Sequence, residues 1–265
     1  MPEPRTSSTV WNDALLANPH GVADKQTRVR RMFAAIAGSY DINNRLHSLW
    51  MDQSWRRRAV KLAELKPTDS VLDVACGTGD LTLQFAYELQ RKKEKGKGKK
   101  EGSVIGLDYT FEMLPIANRK SQIANRKSQI GWLNGDAMRL PLPDACVDVV
   151  SIAFGIRNVA DPQLAIREFH RVLRPGGRVI ILEFSLPKNP VLRGLYNFYF
   201  RRVLPVTATI ISGDRTGAYK YLPESVNTFI GRERMLEMMA KAGFVDGSQF
   251  PLTFGVCVCY RGVKN

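Results

Sequence analysis

The sequence lacks any long apolar run. Its apolar stretches, such as residues 147–154 and 179–182, are far shorter than the roughly 20 residues that a membrane-spanning helix needs. The first 16 residues, MPEPRTSSTVWNDALL, also lack the basic start and the apolar core of a secretory signal peptide. We therefore expect a cytoplasmic protein. With 44% hydrophobic and 24% charged residues, the composition also excludes a fibrous or wholly disordered chain.

Cysteine is scarce, with four residues in 265: Cys76, Cys146, Cys257 and Cys259. Four irregularly spaced cysteines do not form a disulfide framework in a chain of this length, so we expect reduced thiols. Cys257 and Cys259 alternate as residues on one face of a strand do, and no His or Cys lies nearby in sequence to complete a zinc site. The sequence predicts buried thiols and no metal site.

Acidic residues are too few to balance the basic ones. The 25 Asp and Glu residues stand against 39 Lys and Arg, which gives a net charge of +14. This charge is typical of nucleic-acid-binding proteins, but residues 91–102 alone contribute +5 in a low-complexity Lys/Gly context. Such a segment cannot bury apolar surface. We therefore interpret residues 91–102 as a solvated loop insertion and expect no nucleic-acid partner.

A perfect tandem duplication occupies residues 116–130. The heptad IANRKSQ occurs at 116–122 and again at 123–129, before Ile130. Two copies are too few for a solenoid. Because seven residues add almost two whole helical turns, the insertion keeps the apolar face of a helix aligned. We expect a lengthened surface helix.

Short apolar runs alternate with amphipathic stretches from residue 70 onward, which is typical of a mostly parallel sheet with helices on both faces. Residues 29–65 predict helices that form an N-terminal helical cap. We therefore predict a Rossmann-like α/β fold with a seven-stranded sheet whose last two strands form a hairpin. The predicted strands are residues 70–75, 104–107, 132–134, 147–153, 178–184, 245–250 and 255–260.

The predicted domain organisation is simple. Residues 1–28 form a flexible tail, and residues 29–265 form a single domain. Residues 186–222, after the fifth strand, form a helical insertion.

Glycine and acidic residues follow successive strands, at the edge where a sheet of this kind binds its ligand. Gly77 and Gly79 make a tight turn in which a ligand can approach the backbone. Thr82 stands where the dinucleotide fingerprint has its third glycine, so NAD and FAD are disfavoured. Asp108 ends the second strand, where a carboxylate can bind two ribose hydroxyls, and Asp136 follows the third. The pattern predicts a ribose-containing ligand.

These motifs resemble those of a known family. LDVACGTGDL, GLDYT, NGDAMRLPLPDACVDVV and RVLRPGGRVIILEFS, in this order, resemble the class I S-adenosylmethionine (SAM) methyltransferases. YDINNRLHSLWMDQSW, FGIRNV and YKYLPESV resemble, more narrowly, the menaquinone/ubiquinone-biosynthesis C-methyltransferases of the UbiE/MenG type. The resemblance covers about residues 29 to 262 and implies a SAM-dependent enzyme.

The implied reaction is methyl transfer to a ring carbon of a prenylated quinol. We favour demethylmenaquinol as the substrate, and a methoxy-benzoquinol of ubiquinone biosynthesis is the alternative. A nucleic-acid methyltransferase is a further alternative, because such enzymes share the SAM-binding motifs. However, the fourth-strand turn reads FGIRN instead of the D/N-P-P-F/Y loop of amino-methylating enzymes, and no cysteine follows a proline as in cytosine-C5 enzymes.

The resemblance implies a set of cofactor contacts. Asp108 would bind the ribose, and Asp136 with the Ala137 N–H would bind the adenine. Asp73 would either bind the methionyl ammonium or cap the N–H groups of the turn. The full set of implied SAM-binding residues is Asp73, Gly77, Thr78, Gly79, Asp108, Asp136, Ala137 and Ala153.

The resemblance also implies which residues act on the quinol. Tyr40 and Asn158 would hold cofactor or quinol by hydrogen bonds. Arg157 would stabilise a quinolate, since a guanidinium is almost never itself a base. His47 and Asp41 are better proton acceptors, although His47 is equally well explained as a structural residue.

Three positions of the first signature depart from the residues usual in this family. Asn43 stands in place of Met, His47 in place of an apolar residue, and Asp52 where His is frequent. All three belong to the segment that the resemblance places on the substrate side.

Residues 191–211 combine aromatic and apolar residues with Arg193, Arg201 and Arg202. This combination favours an anionic lipid interface. The segment is therefore interpreted either as a lid over the quinol pocket that contacts the membrane or as a buried helix pair. A homo-oligomer is a further expectation.

Overall fold

The computed structural model describes residues 10–95, 102–125 and 130–265. Its centre is a seven-stranded sheet. The strands are β1 (Ser70–Val74), β2 (Ser103–Asp108), β3 (Ile130–Asn134), β4 (Val147–Ala153), β5 (Leu173–Phe184), β6 (Phe244–Leu252) and β7 (Cys257–Lys264). Their order in the sheet is β3-β2-β1-β4-β5-β7-β6. Strands β1 to β5 are parallel, and β7 runs antiparallel to β5 and β6. The predicted Rossmann-like sheet and its terminal hairpin are confirmed.

Helices cover both faces of this sheet. They are α1 (Asp13–Leu16), α2 (Lys25–Ile36), α3 (Tyr40–His47), α4 (Met51–Leu62), α5 (Asp80–Lys95), α6 (Leu114–Ile123), α7 (Pro162–Val172), α8 (Pro190–Phe198), α9 (Leu204–Ser212), α10 (Ala218–Asn227) and α11 (Arg232–Lys241). Short 3₁₀ turns lie at Ala37–Ser39, Phe111–Met113, Ile156–Asn158 and Thr253–Gly255, and a π-helical stretch, Tyr199–Val203, joins α8 to α9.

Alternation along the strands divides the core between the two faces of the sheet. Cys257 and Cys259 are buried on one face with Trp55 and Phe85, against α4 and α5. Val258 and Tyr260 lie on the other face in the cluster that includes Phe169 and Met239 of α7 and α11. The two thiols are therefore ordinary core residues, as predicted.

The N-terminal segment differs from the prediction of a flexible tail over residues 1–28. Residues 10–28 are packed on the domain, and residues 1–9 lie outside the described residues. Trp11 is 1% exposed and its ring stacks on Tyr221 at 4.4 Å. Lys25 is also buried, and its Nζ donates to the carbonyl oxygens of Arg157 and Val159 at 2.9 and 2.7 Å. The prediction is wrong here because these partners are far away in sequence.

The duplicated heptad does not lengthen the helix as expected. Helix α6 ends at Ile123, the first residue of the second copy, and Asn125 adopts a left-handed conformation with φ of +55°. This conformation ends an α-helix. Residues 126–129 of the second copy lie outside the described residues, as do residues 96–101 of the Lys/Gly insertion.

Helices α8 to α10 follow β5 and extend to Asn227, past the end of the helical insertion expected at residues 186–222. Tyr196, Phe200 and Leu204 are buried with residues of α2 and α10. On the opposite side, Phe198 and Ile210 are 65% and 77% exposed. The segment is thus buried on one side and apolar but exposed on the other. In the part of the chain that the structure describes, no helix is long and apolar enough to cross a membrane.

The packing of the N-terminal segment is testable with Trp11→Ala. Because the buried indole stacks on Tyr221, we expect the free energy of unfolding to fall by about 3–5 kcal/mol. The measurement is chemical denaturation followed by circular dichroism. Trp50→Ala is the matched control, since Trp50 is 57% exposed and its loss is expected to cost less than about 1 kcal/mol. Equal, small effects of both substitutions would mean that residue 11 belongs to a loose tail.

Candidate active site

The chain turns sharply where β1 and β4 end. Ala75 and Phe154 adopt left-handed conformations with φ of +51° and +58°, which cost of order 1–3 kcal/mol each for residues other than glycine. Gly77 and Gly79 also have positive φ, and a Cβ on Gly79 would lie 2.7 Å from Trp132. Only glycine fits this second position. These turns leave an open space above the strand ends.

That space is a cavity of about 750 Å³, part of it open to solvent. We call it the strand-end cavity. It lies at the carboxyl ends of β1 to β4, where ligands of open α/β sheets bind. The predicted site residues that line it are Tyr40, Gly77, Asp108, Asp136, Ala137, Ala153 and Asn158.

Asp108 holds the glycine turn through its carboxylate. Its Oδ2 accepts a hydrogen bond from the Gly77 N–H and its Oδ1 accepts one from the Thr110 N–H, both at 2.7 Å. Burial raises the pKa of Asp108 to about 6, although these two backbone hydrogen bonds act in the opposite direction. Because each carboxylate oxygen can accept a second hydrogen bond, Asp108 retains capacity for ligand hydroxyls.

Asp136 lines the strand-end cavity just after the end of β3. Its Oδ1 accepts from the Met138 N–H at 2.9 Å, and its Oδ2 accepts from Gln26 Nε2 at 2.7 Å. Gln26 itself lines the cavity. Sequence reasoning missed Gln26 because it assigned residues 1–28 to a tail.

Asp73 lies beneath the glycine turn, outside the residues that line the cavity. It is 1% exposed and accepts hydrogen bonds from Thr82 Oγ1 at 2.6 Å and Ser151 Oγ at 2.7 Å. Burial raises the pKa of Asp73 to about 6, against the effect of these hydroxyls. Of its two predicted roles, these contacts favour support of the turn over contact with an ammonium group.

Thr78 and Asp41 belong to an ion cluster beside the turn. Thr78 Oγ1 donates to Asp41 Oδ1 at 2.5 Å, and Lys120 Nζ lies 2.9 Å from Asp41 Oδ2. Lys120 also pairs with Asp80, and Asp80 pairs in addition with Arg45. Asp41 is therefore bound by a cation and a hydroxyl at the cofactor side, which does not fit the predicted proton acceptor. Lys120, in the first heptad copy, was not predicted.

A second cavity, of about 640 Å³, adjoins the first. We call it the aromatic cavity. Phe33, Tyr40 and Phe154 line both cavities and form the wall between them. The other residues that line the aromatic cavity are Met32, Ile36, Asn44, Ser48, Asp52, Arg56, Arg157, Phe184, Ala218, Tyr219, Tyr221 and Leu222.

The two predicted residues of the fourth-strand turn lie in different cavities. Arg157 is 5% exposed and lines the aromatic cavity, where its Nη1 contacts Glu183 Oε1 at 2.5 Å and the Phe154 carbonyl oxygen at 2.8 Å. Asn158 lines the strand-end cavity, and its Oδ1 accepts from the Tyr221 hydroxyl at 3.0 Å.

His47 is not among the residues that line either cavity. Its Nδ1 lies 2.9 Å from the Asn43 carbonyl oxygen, and its Nε2 lies 2.8 Å from Thr207 Oγ1. The imidazole thus links α3 to α9. These contacts favour its structural interpretation over the role of proton acceptor.

Two solved structures of similar fold are SAM-dependent methyltransferases. One from Aquifex aeolicus is 19% identical, covers 79% of this chain and 89% of its own, and superposes with a TM-score of 0.57. Another, from Thermotoga maritima, is 21% identical over 89% of this chain and 100% of its own, with a TM-score of 0.58. The fold is that of a class I SAM-dependent methyltransferase.

Residues 22–264 match the ubiE/COQ5 methyltransferase family, and the chain belongs to this family. Demethylmenaquinone methyltransferase of Thermus thermophilus is 46% identical over 87% of this chain and 99% of its own length. The demethylmenaquinone methyltransferase of Deinococcus radiodurans is 41% identical over 92% of this chain and 97% of its own length. The ubiquinone/menaquinone biosynthesis C-methyltransferase UbiE of a Geobacter species is 40% identical over 92% and 100%.

The cofactor of this family and fold is SAM, and the strand-end cavity fits it. Gly77 leaves room above the turn, because a Cβ there would have Tyr40 as its nearest neighbour, at 3.9 Å. The acidic side chains of Asp108 and Asp136 lie at the ends of two different strands. Apolar side chains such as Met113 also line the cavity. The carboxylates can accept hydrogen bonds from hydroxyl and amino groups, and the apolar side chains can contact a flat ring such as adenine.

Asp108→Asn tests the cofactor site. Loss of charge-assisted hydrogen bonds to the ribose is expected to weaken SAM binding by about 2–4 kcal/mol at pH 7.5, measured by calorimetry. The wild-type affinity is expected to be full well above pH 6 and to decline as the pH falls through about 6, since protonation removes the accepting carboxylate.

Burial also raises the pKa of Asp73 to about 6, so protonation of either carboxylate could cause the decline in affinity. Asp108→Asn distinguishes the two residues, because this variant keeps Asp73. The affinity of Asp108→Asn should vary less with pH than that of the wild type. An equally steep profile in both proteins, or an unchanged affinity in the folded variant, would contradict the assignment of Asp108.

Proposed function

We propose that this chain methylates a ring carbon of a prenylated quinol and that its substrate is demethylmenaquinol, which becomes menaquinol. The observation that carries the proposal is the aromatic cavity, which shares the wall of Phe33, Tyr40 and Phe154 with the cofactor cavity. An aromatic ring bound there lies next to the cofactor. The names of the Thermus and Deinococcus relatives support the same substrate.

The residues of the strand-end cavity bind and orient the cofactor. Asp108 accepts from the ribose hydroxyls, and Asp136 with the Ala137 N–H binds the adenine edge. The glycine turn, which includes Thr78, would hold the methionyl end. The full proposed set is Gly77, Thr78, Gly79, Asp108, Asp136, Ala137 and Ala153, with Tyr40 and Asn158 on the side of the wall.

Bound SAM supplies an electrophilic methyl group on its sulfonium. The contribution of the protein is to hold the quinol ring in line with that group and to exclude water. The rings of Phe154 and Phe184, with centroids 4.7 Å apart, offer an apolar surface for the quinol. Arg157, held in place by Glu183, stabilises negative charge as it develops on a quinol oxygen.

A methoxy-benzoquinol of ubiquinone biosynthesis is the second candidate substrate. The Geobacter relative is named for both pathways, and both reactions methylate a ring carbon beside a hydroxyl. The naphthoquinol is preferred because the relatives from Thermus and Deinococcus are named for it alone.

We further propose that α8 and α9 rest on the cytoplasmic face of the membrane that holds the substrate. Leu195, Phe198 and Ile210 are each more than 60% exposed, and the exposed Arg201 and Arg202 lie between the two helices. Exposed apolar side chains beside arginines bind anionic lipid surfaces.

A neighbouring loop extends this surface. Leu49 and Trp50 are 75% and 57% exposed, and both adopt left-handed conformations at the start of α4. The contact between His47 and Thr207 brings α3, just before this loop, against α9. An exposed tryptophan at this place suits the level of lipid headgroups.

The substrate is testable with purified enzyme, SAM and reduced prenylated quinones. We expect one methyl transfer to the demethylnaphthoquinol and none to the oxidised quinone, because only the hydroquinol has an acidic hydroxyl to activate the neighbouring carbon. Product formation is measured by mass spectrometry. A higher kcat/KM for the methoxy-benzoquinol would select the second candidate, and turnover of neither quinol would refute the proposed function.

The membrane contact is testable with the double variant Leu195→Glu/Phe198→Glu. Two carboxylates on the exposed side of α8 should weaken binding to anionic vesicles at least about tenfold, as measured by sedimentation. SAM affinity should not change. Ile123→Glu is the matched control, since Ile123 is 78% exposed at the end of α6. Equal vesicle binding of all three proteins would contradict the proposal.

A further inference from the structure

Helix α4 contributes a buried ionic pair to the aromatic cavity. Asp52 and Arg56 are 3% and 6% exposed, and both line the cavity. Arg56 Nε lies 3.7 Å from Asp52 Oδ2, which is too long for a hydrogen bond. Arg56 Nε is buried and has no hydrogen-bond partner in the structure. A buried donor without a partner is unfavourable, and a ligand oxygen in the cavity would supply the missing acceptor.

Asp52 also retains capacity to bind a ligand. Its Oδ1 accepts from Ser48 Oγ at 3.0 Å, and its Oδ2 accepts from Gln53 Nε2 at 2.9 Å. Each oxygen of a carboxylate can accept a further hydrogen bond. Ser48 lines the same cavity, so that the hydroxyl and the carboxylate stand together at its edge.

The other titratable groups that line the aromatic cavity are poor proton acceptors. Arginines keep their protons in proteins, which excludes Arg56 and Arg157. Burial raises the pKa values of Tyr40, Tyr219 and Tyr221, so these phenols are neutral near pH 7. Among the described residues that line the cavity, Asp52 is the one carboxylate.

We propose that Asp52 accepts the hydroxyl proton of the quinol and that Arg56 donates a hydrogen bond to the resulting quinolate oxygen. The proposal rests on the proposed function. It assigns the proton transfer to α4 instead of to Asp41 or His47, whose contacts lie elsewhere, and it leaves Arg157 as a second fixed cation of the same cavity.

The step balances as follows. The quinol O–H bond breaks and its proton moves to the Asp52 carboxylate. The oxygen electron pair raises electron density at the neighbouring ring carbon, which forms a bond to the methyl carbon as the carbon–sulfur bond breaks. The ring carbon then loses its hydrogen as a proton, and the oxygen regains one from Asp52. One methyl group replaces one ring hydrogen, and one proton is released.

The charged and titratable groups near Asp52 come from several elements. Arg56 is on the same helix, and Arg157 lines the cavity from the fourth-strand turn. Gln53 Nε2 bridges Asp52 to Asp80 of α5, with distances of 2.9 and 3.3 Å. The remaining groups that line the cavity are Tyr40 of α3 and Tyr219 and Tyr221 of α10.

The first test is Asp52→Asn in single-turnover assays with SAM-loaded enzyme and reduced prenylated naphthoquinone. Loss of the proton acceptor is expected to lower the rate of methyl transfer by about 10²–10⁴, while SAM affinity and the cooperative unfolding transition are retained. A rate near that of the wild type would overturn the proposal.

Asp69→Asn is the matched control. Asp69 is 4% exposed and pairs with the buried Arg178, at the start of β1 and outside both cavities. This variant is expected to lower the melting temperature and to keep the rate of methyl transfer. An equal loss of rate in both variants would show that a broken buried ion pair, and not the acceptor, causes the effect.

Asp52→His separates proton transfer from structural support and serves if the Asn variant fails to fold. Histidine accepts protons with an ordinary pKa about 2–3 units above that of aspartate. We expect measurable methyl transfer, with the acidic limb of the rate profile moved to higher pH by about that amount. An unmoved acidic limb, or no rate at any pH in a folded, SAM-binding variant, would overturn the proposal. Absence of turnover in the wild type itself would instead refute the proposed function.

Discussion

The buried ion pair of Arg157 and Glu183 holds together the elements around the aromatic cavity. Glu183 belongs to β5, and Arg157 also donates to the Phe154 carbonyl oxygen at the end of β4 and, at 3.4 Å, to Ser225 Oγ of α10. The carbonyl oxygen of Arg157 accepts from Lys25. Removal of one partner of such a pair costs about 3–5 kcal/mol, so the sheet, the N-terminal segment and the insertion depend on it together.

The sheet could be predicted from the sequence because buried strands appear there as short apolar runs or as alternating apolar residues. The hairpin of β6 and β7 follows from the alternation around Cys257 and Cys259, and β1 to β5 follow from short apolar runs. The packing of Trp11 could not be predicted, since its partner Tyr221 is 210 positions away. The end of α6 at Ile123 was also missed, because both heptad copies have the same helical periodicity.

The candidate site divides in the same way. Asp108, Asp136 and Gly77 could be predicted because the ends of parallel strands meet at one edge of the sheet. No comparable sequence pattern marks the helix residues whose side chains reach the site. Gln26 and Lys120 extend from α2 and α6 to Asp136 and Asp41, and Asp52 was noticed only as a departure from the usual residue. Periodicity reports which helix face is buried but not which cavity it borders.

The wall of Phe33, Tyr40 and Phe154 has a thermodynamic consequence. A ligand in either cavity contacts the same three rings, so any displacement of a ring by one ligand changes the space open to the other. The two binding equilibria are then linked, and linkage is reciprocal: the factor by which a bound quinol alters the affinity for SAM equals the factor by which bound SAM alters the affinity for the quinol. Phe154 belongs to this shared wall and has a left-handed backbone conformation, which is strained for a residue other than glycine.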